Sequence, residues 1–267
     1  MNSITKNKYW ILFWKFRQLH LMRQMEYRGD FLFWSIVATM WTLFNFFFFT
    51  LIAGVNGGIG GWSVLEIYIL IAVFSLVDTF TWSFFYVNMR EYTDSVFSGK
   101  INMLLTKPID TQFMLMTQSN SLNNILRFFV GIGVLIWAVP QLDVTITFIH
   151  WLLFIAMFVV SLSFIYFLWF TLSTFAFWVE KLNNINNMIP AMRRIWQVPR
   201  QVYTGATSVL LTIIMPIGLV VSIPSEILIN KAAPFFMIYL TAFAVGMFFI
   251  SRWFFNFSIK KYSGIGN

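Results

Sequence analysis

Apolar runs with few charges alternate with short polar stretches along the whole chain. Phe31 to Gly54 contains no charged residue; at 1.5 Å per residue a helix of that length reaches across a hydrocarbon core of about 30 Å. Comparable runs cover approximately 62–87, 119–139, 148–178, 206–221 and 233–254, so the pattern predicts six membrane-spanning helices. The fourth is long enough to tilt or to project beyond the bilayer. The fifth is short and breakable, with Pro216 and Gly218 inside it and Pro224 close behind. Ahead of the first run, Tyr9 to Tyr27 is apolar but interrupted by Lys15, Arg17, His20 and Arg23. It suits a helix lying in the interface, with Trp10, Phe13, Trp14 and Leu21 towards lipid, or else an extension of the first span. The pattern thus predicts one all-α membrane domain over residues 1–267, with residues 1–30 as a cytoplasmic, interfacial helix.

Composition supports that class. Of 267 residues 59% are hydrophobic and 10% charged, whereas a soluble domain carries about a quarter of its residues charged. The lipid bilayer is therefore the expected solvent. The net charge of +8 does not point to nucleic acid, because the bases are scattered through segments bordering the apolar runs. Read as six spans, the chain puts seventeen of its eighteen Lys and Arg residues on one side, with Lys231 alone opposite. By the positive-inside rule both termini are cytoplasmic, in a multi-pass protein of the cell (inner) membrane. The first 30 residues carry six bases and no small-residue cleavage site after an apolar core, so no cleavable signal peptide is expected. Cysteine is absent, which excludes disulfides and thiolate chemistry.

No enzyme motif emerges. Ser98-Gly99-Lys100 is followed by Ile101 and lacks the upstream glycine of a phosphate-binding loop. The two histidines, His20 and His150, have no neighbouring metal ligands in the sequence. No catalytic, cofactor-binding or metal-binding residue is expected. Ionisable groups inside spans are the better candidates, because burying charge in lipid is costly. Asp78, near the middle of the second span, lines a polar pathway, pairs with Arg127 of the third, or makes a structural contact between helices. Glu66 lies near the outer end, where it reaches water. The segment from Asn88 to Leu115, NMREYTDSVFSGKINMLLTKPIDTQFML, carries a small apolar set (Val96, Phe97, Ile101, Leu104, Leu105) among charges. It suits a short amphipathic helix at the cytoplasmic surface, or an ordinary connector; Gly99 permits a turn and Pro108 ends the segment.

Within it, Gly99 to Pro108 (GKINMLLTKP) resembles the cytoplasmic signature of permease subunits of type-2 ATP-binding-cassette exporters. Tyr27 to Phe31 resembles the start of that family's first span, and Pro199 to Pro224 its fifth-span region. The resemblance covers nearly the whole chain. It implies a permease that binds a separate ATP-binding-cassette ATPase subunit, with ATP and magnesium held there and no cofactor here, and that works with a second copy or a paralogue. It further implies docking through the interfacial helix and the coupling helix between spans two and three, at Glu91, Asp94, Gly99, Lys100, Lys107 and Pro108. Asp78, Arg127, Pro216, Gly218 and Pro224 are the pathway and gate candidates. An ion-gradient carrier and a non-transporting assembly or immunity factor are the alternatives; no convincing repeat relates residues 31–139 to 148–254, as the carrier would require. The cargo is not readable from the sequence.

Overall fold

The computed structural model describes residues 3–179 and 185–262. Apart from one antiparallel bridge between Ile59 and Trp62, the regular structure in these residues is helical. In chain order the helices are α1 (Ser3–Glu26), α2 (Arg28–Asn56), α3 (Val64–Phe97), α4 (Ile101–Leu105), α5 (Thr111–Thr117), α6 (Ile125–Gln141), α7 (Phe148–Phe177), α8 (Ile185–Met192), α9 (Gly205–Ile214), α10 (Pro216–Leu228) and α11 (Pro234–Lys261). Helices α2, α3, α7 and α11 are long and apolar enough to cross a membrane; the bent pair α9–α10 makes five if it counts as one span. Helix α6 is apolar but shorter.

Local chemistry explains the ends of these helices. Ser63 caps α3 through the Glu66 amide, while the Glu66 carboxylate accepts from the Ser63 amide. Helix α2 stops at Gly57, whose positive φ of 67° lets the chain turn out of the helix. Pro234 opens α11, and Lys260 and Lys261 stand in its last turn. The core centres on α3, where Ile67 and every residue from Ile69 to Thr79 is buried. It packs against α2, α6 and α10, while α11 lies along α7. Gly131 of α6 allows the closest approach: a Cβ there would stand 2.4 Å from the Ser75 hydroxyl and 3.2 Å from the Ala72 carbonyl.

The expected boundaries shift where polar residues find partners inside the protein. The second span does not end at Val87; its helix continues to Phe97, with Asn88 and Thr93 buried. Between Thr81 and Tyr86 it widens into a π-helical turn. The Ser83 carbonyl there accepts a hydrogen bond from the Ser121 amide at 2.8 Å. The third helix starts at Ile125 rather than Ser119, because Ser119 is tied to Asn88 by a pair of hydrogen bonds (2.9 and 3.0 Å). Those bonds hold residues 118–124 as a mostly non-helical polar strap.

The largest correction concerns residues 185–228. The expected fifth span, 206–221, is broken: α9 and α10 meet at an angle of 80° around Met215 and Pro216. Before the pair, the Gly60 backbone presses on Gln201 and Val202; after it, the Lys231 ammonium lies 2.7 Å from Glu66 and 3.4 Å from the Gly61 carbonyl. Both flanks therefore meet the same glycine-rich turn. The pair is a hairpin that returns to the end of the bundle where it began.

The polar stretch before it, expected as a loop, instead runs the length of the bundle. Asn186 donates to Thr93 near the Gly99 end (2.8 Å), Arg193 reaches Asp78, Gln197 donates to Asn45 (3.1 Å), and Val202 arrives at Gly60. Hydropathy reads these residues as solvated. Several of their polar groups nevertheless find partners on other helices, as the bonds of Asn186, Arg193, Gln197 and Arg200 show. Glu180 and Lys181, which also fall between the expected fourth and fifth spans, lie outside the described residues.

Candidate functional site

Asp78 lies fourteen residues along α3 from Val64, about 21 Å at helical rise. Its side chain is 1% exposed. Arg127 of α6 donates to Oδ2 of Asp78, and Arg193 joins both carboxylate oxygens at 2.8 Å. Arg127 also reaches the Ala38 carbonyl of α2 (3.4 Å), and Arg193 stacks near Phe74 and Trp82. The cluster thus ties four segments together and holds one carboxylate against two guanidinium groups. The sequence pairs Asp78 with Arg127 as one of its alternatives. It gives no hint of Arg193, because that residue sits in a stretch that reads as a loop.

A second buried ion pair holds the hairpin. Glu226, fully buried on α10, accepts from Arg200 (2.7 Å) and Gln201 (2.8 Å); the Arg200 amide bonds the Ser222 hydroxyl (3.0 Å), and its guanidinium lies 4.0 Å from the Phe236 ring centre. The sequence gives no hint of Glu226, because it lies beyond Val221, where the expected fifth span ends. Of the gate candidates, Pro216 sits at the bend and Pro224 is buried within α10. A Cβ on Gly218 would come within 3.1 Å of the Leu211 carbonyl, so glycine lets the two legs approach.

At the opposite end of the bundle, α3 breaks at Ser98, and Gly99 adopts a positive φ of 71° that turns the chain into α4. Val96 and Ile101 are buried beneath this tip, while Asp94, Lys100, Lys107 and Pro108 are exposed. Met103, absent from the expected set, is the most exposed apolar side chain there, at 69%. Glu91 is exposed yet turned back, accepting a hydrogen bond from Ser119. Asp110 caps α5 and pairs with Arg252 of α11. Burial alone would push its carboxyl up, but the Arg252 hydrogen bonds and charge hold it below the usual range.

Helix α1 docks alongside this tip. Arg17 donates to the Thr117 and Ser119 carbonyls, His20 bonds the Gln118 carbonyl (2.7 Å), Gln24 accepts from the Leu122 amide (3.3 Å), and Tyr9 packs edge-on against Phe113. Burial lowers the Arg17 pKa to about 10, still well above neutral pH, so it remains charged. Trp10, Trp14 and Met22 are exposed.

Beside the Asp78 cluster opens a cleft of about 910 Å³ between α2, α3 and α6. Its walls include Trp34, Trp41, Phe44, Trp82 and Tyr86, with Arg127 and Arg193 at its polar side. A smaller cavity of about 480 Å³ shares Trp41 and Arg193 with it and adds Asn45, Arg194 and Gln197. Among the described residues, no group of three or more His, Cys, Asp or Glu side chains could hold a metal ion.

No curated protein and no solved structure matches this chain. The family profile described as "ABC-2 family transporter protein" matches residues 39–266. That span takes in every element from the middle of α2 to the end of α11, including the Asp78 cluster, the α4 tip and the hairpin. The resemblance drawn from Gly99 to Pro108 agrees with it. With its apolar bundle, the chain is a multi-pass membrane protein and a transport permease; it belongs to the ABC-2 family of transporter proteins.

Proposed function

We propose that this permease is the membrane half of an ATP-driven exporter, moved by a separate ATPase that docks on the α4 tip. The observation that carries the reading is the form of that tip. It is a five-residue helix on a glycine turn, rigidly founded on buried Val96 and Ile101, and it offers Met103 between exposed Asp94, Lys100 and Lys107. An apolar knob ringed by charges suits a protein partner. Helix α1, bonded to residues 117–122, carries any push on the tip into the strap and so to α3. The chain works as a homodimer or with a similar permease. Nucleotide-driven closure of two ATPases shifts the bundle between inward-open and outward-open states, and the hairpin with Pro216, Gly218 and Pro224 serves as the outer gate.

In this reading the membrane is crossed six times, and the fifth crossing is the polar segment 185–202 rather than 206–221. Both termini and the tip are cytoplasmic; the Gly60 turn, Lys231 and the hairpin face outward. Arg193, Arg194 and Arg200 then leave the cytoplasmic set of bases, while the N-terminal helix, the tip and the C-terminal end keep theirs.

Co-purification with candidate ATP-binding-cassette ATPases tests the docking site. Met103→Asp and Asp94→Lys are each expected to weaken complex formation about tenfold, the scale of an interface hot spot, and to uncouple ATP turnover without changing the thermal midpoint. Undiminished binding and turnover in both variants would sink the assignment.

The topology has its own test, since the chain offers a cysteine-free background. Val202→Cys, at a residue 40% exposed, is expected to react with an impermeant maleimide from outside intact cells, and Asp143→Cys likewise. Ser98→Cys is expected to react only after the membrane is opened. A Val202→Cys protein that labels only from inside would return residues 185–202 to a cytoplasmic loop.

A further inference from the structure

We propose that the paired cavities beside Trp41 bind the cargo, and that the cargo is an amphipathic anion: an apolar body among the aromatic side chains, with a phosphate or carboxylate on Arg194 and Arg193. The inference names a substrate class for the exporter and rests on that reading of the chain.

Charge balance is the first argument. The Asp78 cluster places one carboxylate against two guanidinium groups, so the wall of the larger cleft carries an excess positive charge. Buried charges persist where they are balanced, and an unbalanced one is costly. Arg127 is 5% exposed overall, and its Nε–H has no hydrogen-bond partner among the described residues.

Arg194 adds a second positive charge at the same depth. It is exposed, lines the smaller cavity, and has neither an ion pair nor a side-chain hydrogen bond among the described residues. A guanidinium facing lipid at mid-bundle is costly. Such residues face a water-filled cavity or an anion instead. Asn45 and Gln197, bonded to each other at 3.1 Å, supply further polar groups in the same cavity.

The apolar side is equally specific. Trp34, Trp41, Phe44, Trp82 and Tyr86 line the larger cleft. Trp41 and Arg193 border both cavities, so apolar and cationic walls are contiguous. A small hydrophilic anion would leave the aromatic wall unused, and a neutral hydrocarbon would leave two arginines uncompensated. A molecule with both features satisfies both walls.

The test uses the purified full-length permease in a neutral maltoside detergent, without an ATPase, so it stands or falls separately from the docking experiment. Equilibrium binding is compared for dodecyl phosphate, dodecyl phosphocholine and inorganic phosphate by native mass spectrometry and calorimetry. Dodecyl phosphate is expected to bind at least about tenfold more tightly than its zwitterionic analogue, the scale of one charge-assisted hydrogen bond, and inorganic phosphate more weakly than either. Arg194→Gln is expected to abolish the preference and Arg194→Lys to keep most of it; Arg194 is exposed, so neither change should disturb folding. Equal affinity for the two dodecyl probes, or a preference that survives Arg194→Gln, would overturn the proposal. In a second arm, phosphatidylglycerol is added as competitor. Failure to displace the probe supports a cargo site, whereas displacement at equal affinity assigns the site to a resident lipid and overturns the cargo reading.

Discussion

Asp78→Asn is expected to destabilise the bundle by about 3–5 kcal/mol, the range for removing one partner from a buried ion pair. Asparagine keeps the shape and one acceptor oxygen, so the loss isolates the charge. It leaves Arg127 and Arg193 facing each other across a site from which solvent is largely excluded. The reciprocal change should be much milder. Arg127→Met leaves Asp78 with Arg193 at 2.8 Å, a neutral ion pair with one hydrogen bond intact. Thermal or denaturant unfolding in detergent separates the two variants, and transport in reconstituted vesicles should follow the same order. A loss for Asp78→Asn no larger than for Arg127→Met would show that the second arginine does not share the carboxylate. The asymmetry itself is the prediction, because a simple two-residue bridge would suffer about equally from losing either member.

Glu226→Gln should act more locally. The carboxylate is fully buried and joins the second leg of the hairpin to Arg200 and Gln201, at the end of the polar segment 185–202. Removing its charge leaves the Arg200 guanidinium, only 16% exposed, without compensation. The expected result is a loss of about 3 kcal/mol concentrated in residues 205–228. Hydrogen exchange should show faster amide exchange there, while the centres of α3 and α7 stay protected. Adding Arg200→Gln should recover part of the loss, since the orphaned charge is then gone as well. Uniform deprotection of the whole bundle, or unchanged protection of the hairpin, would contradict a local clamp.

Much of the architecture is legible in the apolar runs. Phe31 to Gly54 and residues 148–178 nearly coincide with α2 and α7, because a helix surrounded by lipid needs apolar residues on every face. Legibility fails wherever protein replaces lipid as the surroundings. Asn88 and Thr93 read as loop, yet lie buried in the continuation of α3 because Ser119 and Asn186 satisfy them. Arg193 and Gln197 read as solvated, yet stand inside the bundle against Asp78 and Asn45. The apolar 206–221 run reads as a breakable crossing with Pro216 at the break, but length and hydropathy do not show that the 80° bend turns it back towards the Gly60 turn. Of the site, Asp78 was visible as an isolated acid in an apolar helix. Glu226 and Arg200 were not, because their meeting depends on the hairpin that the pattern misread.

The charge cluster also imposes an order on biosynthesis. When residues up to α6 have emerged, Asp78 and Arg127 already form a neutral pair, so the first three apolar helices can settle in the membrane as a self-sufficient unit. The surplus charge arrives only with Arg193 and Arg194, in a segment too polar to partition into lipid by itself. That segment has to thread into a bundle already standing, and Glu226, made still later, secures its far end through Arg200. A ribosome that stops between residues 205 and 226 would leave that segment without its clamp. The nascent chain would then carry Arg200 without the buried carboxylate that holds it in the finished protein.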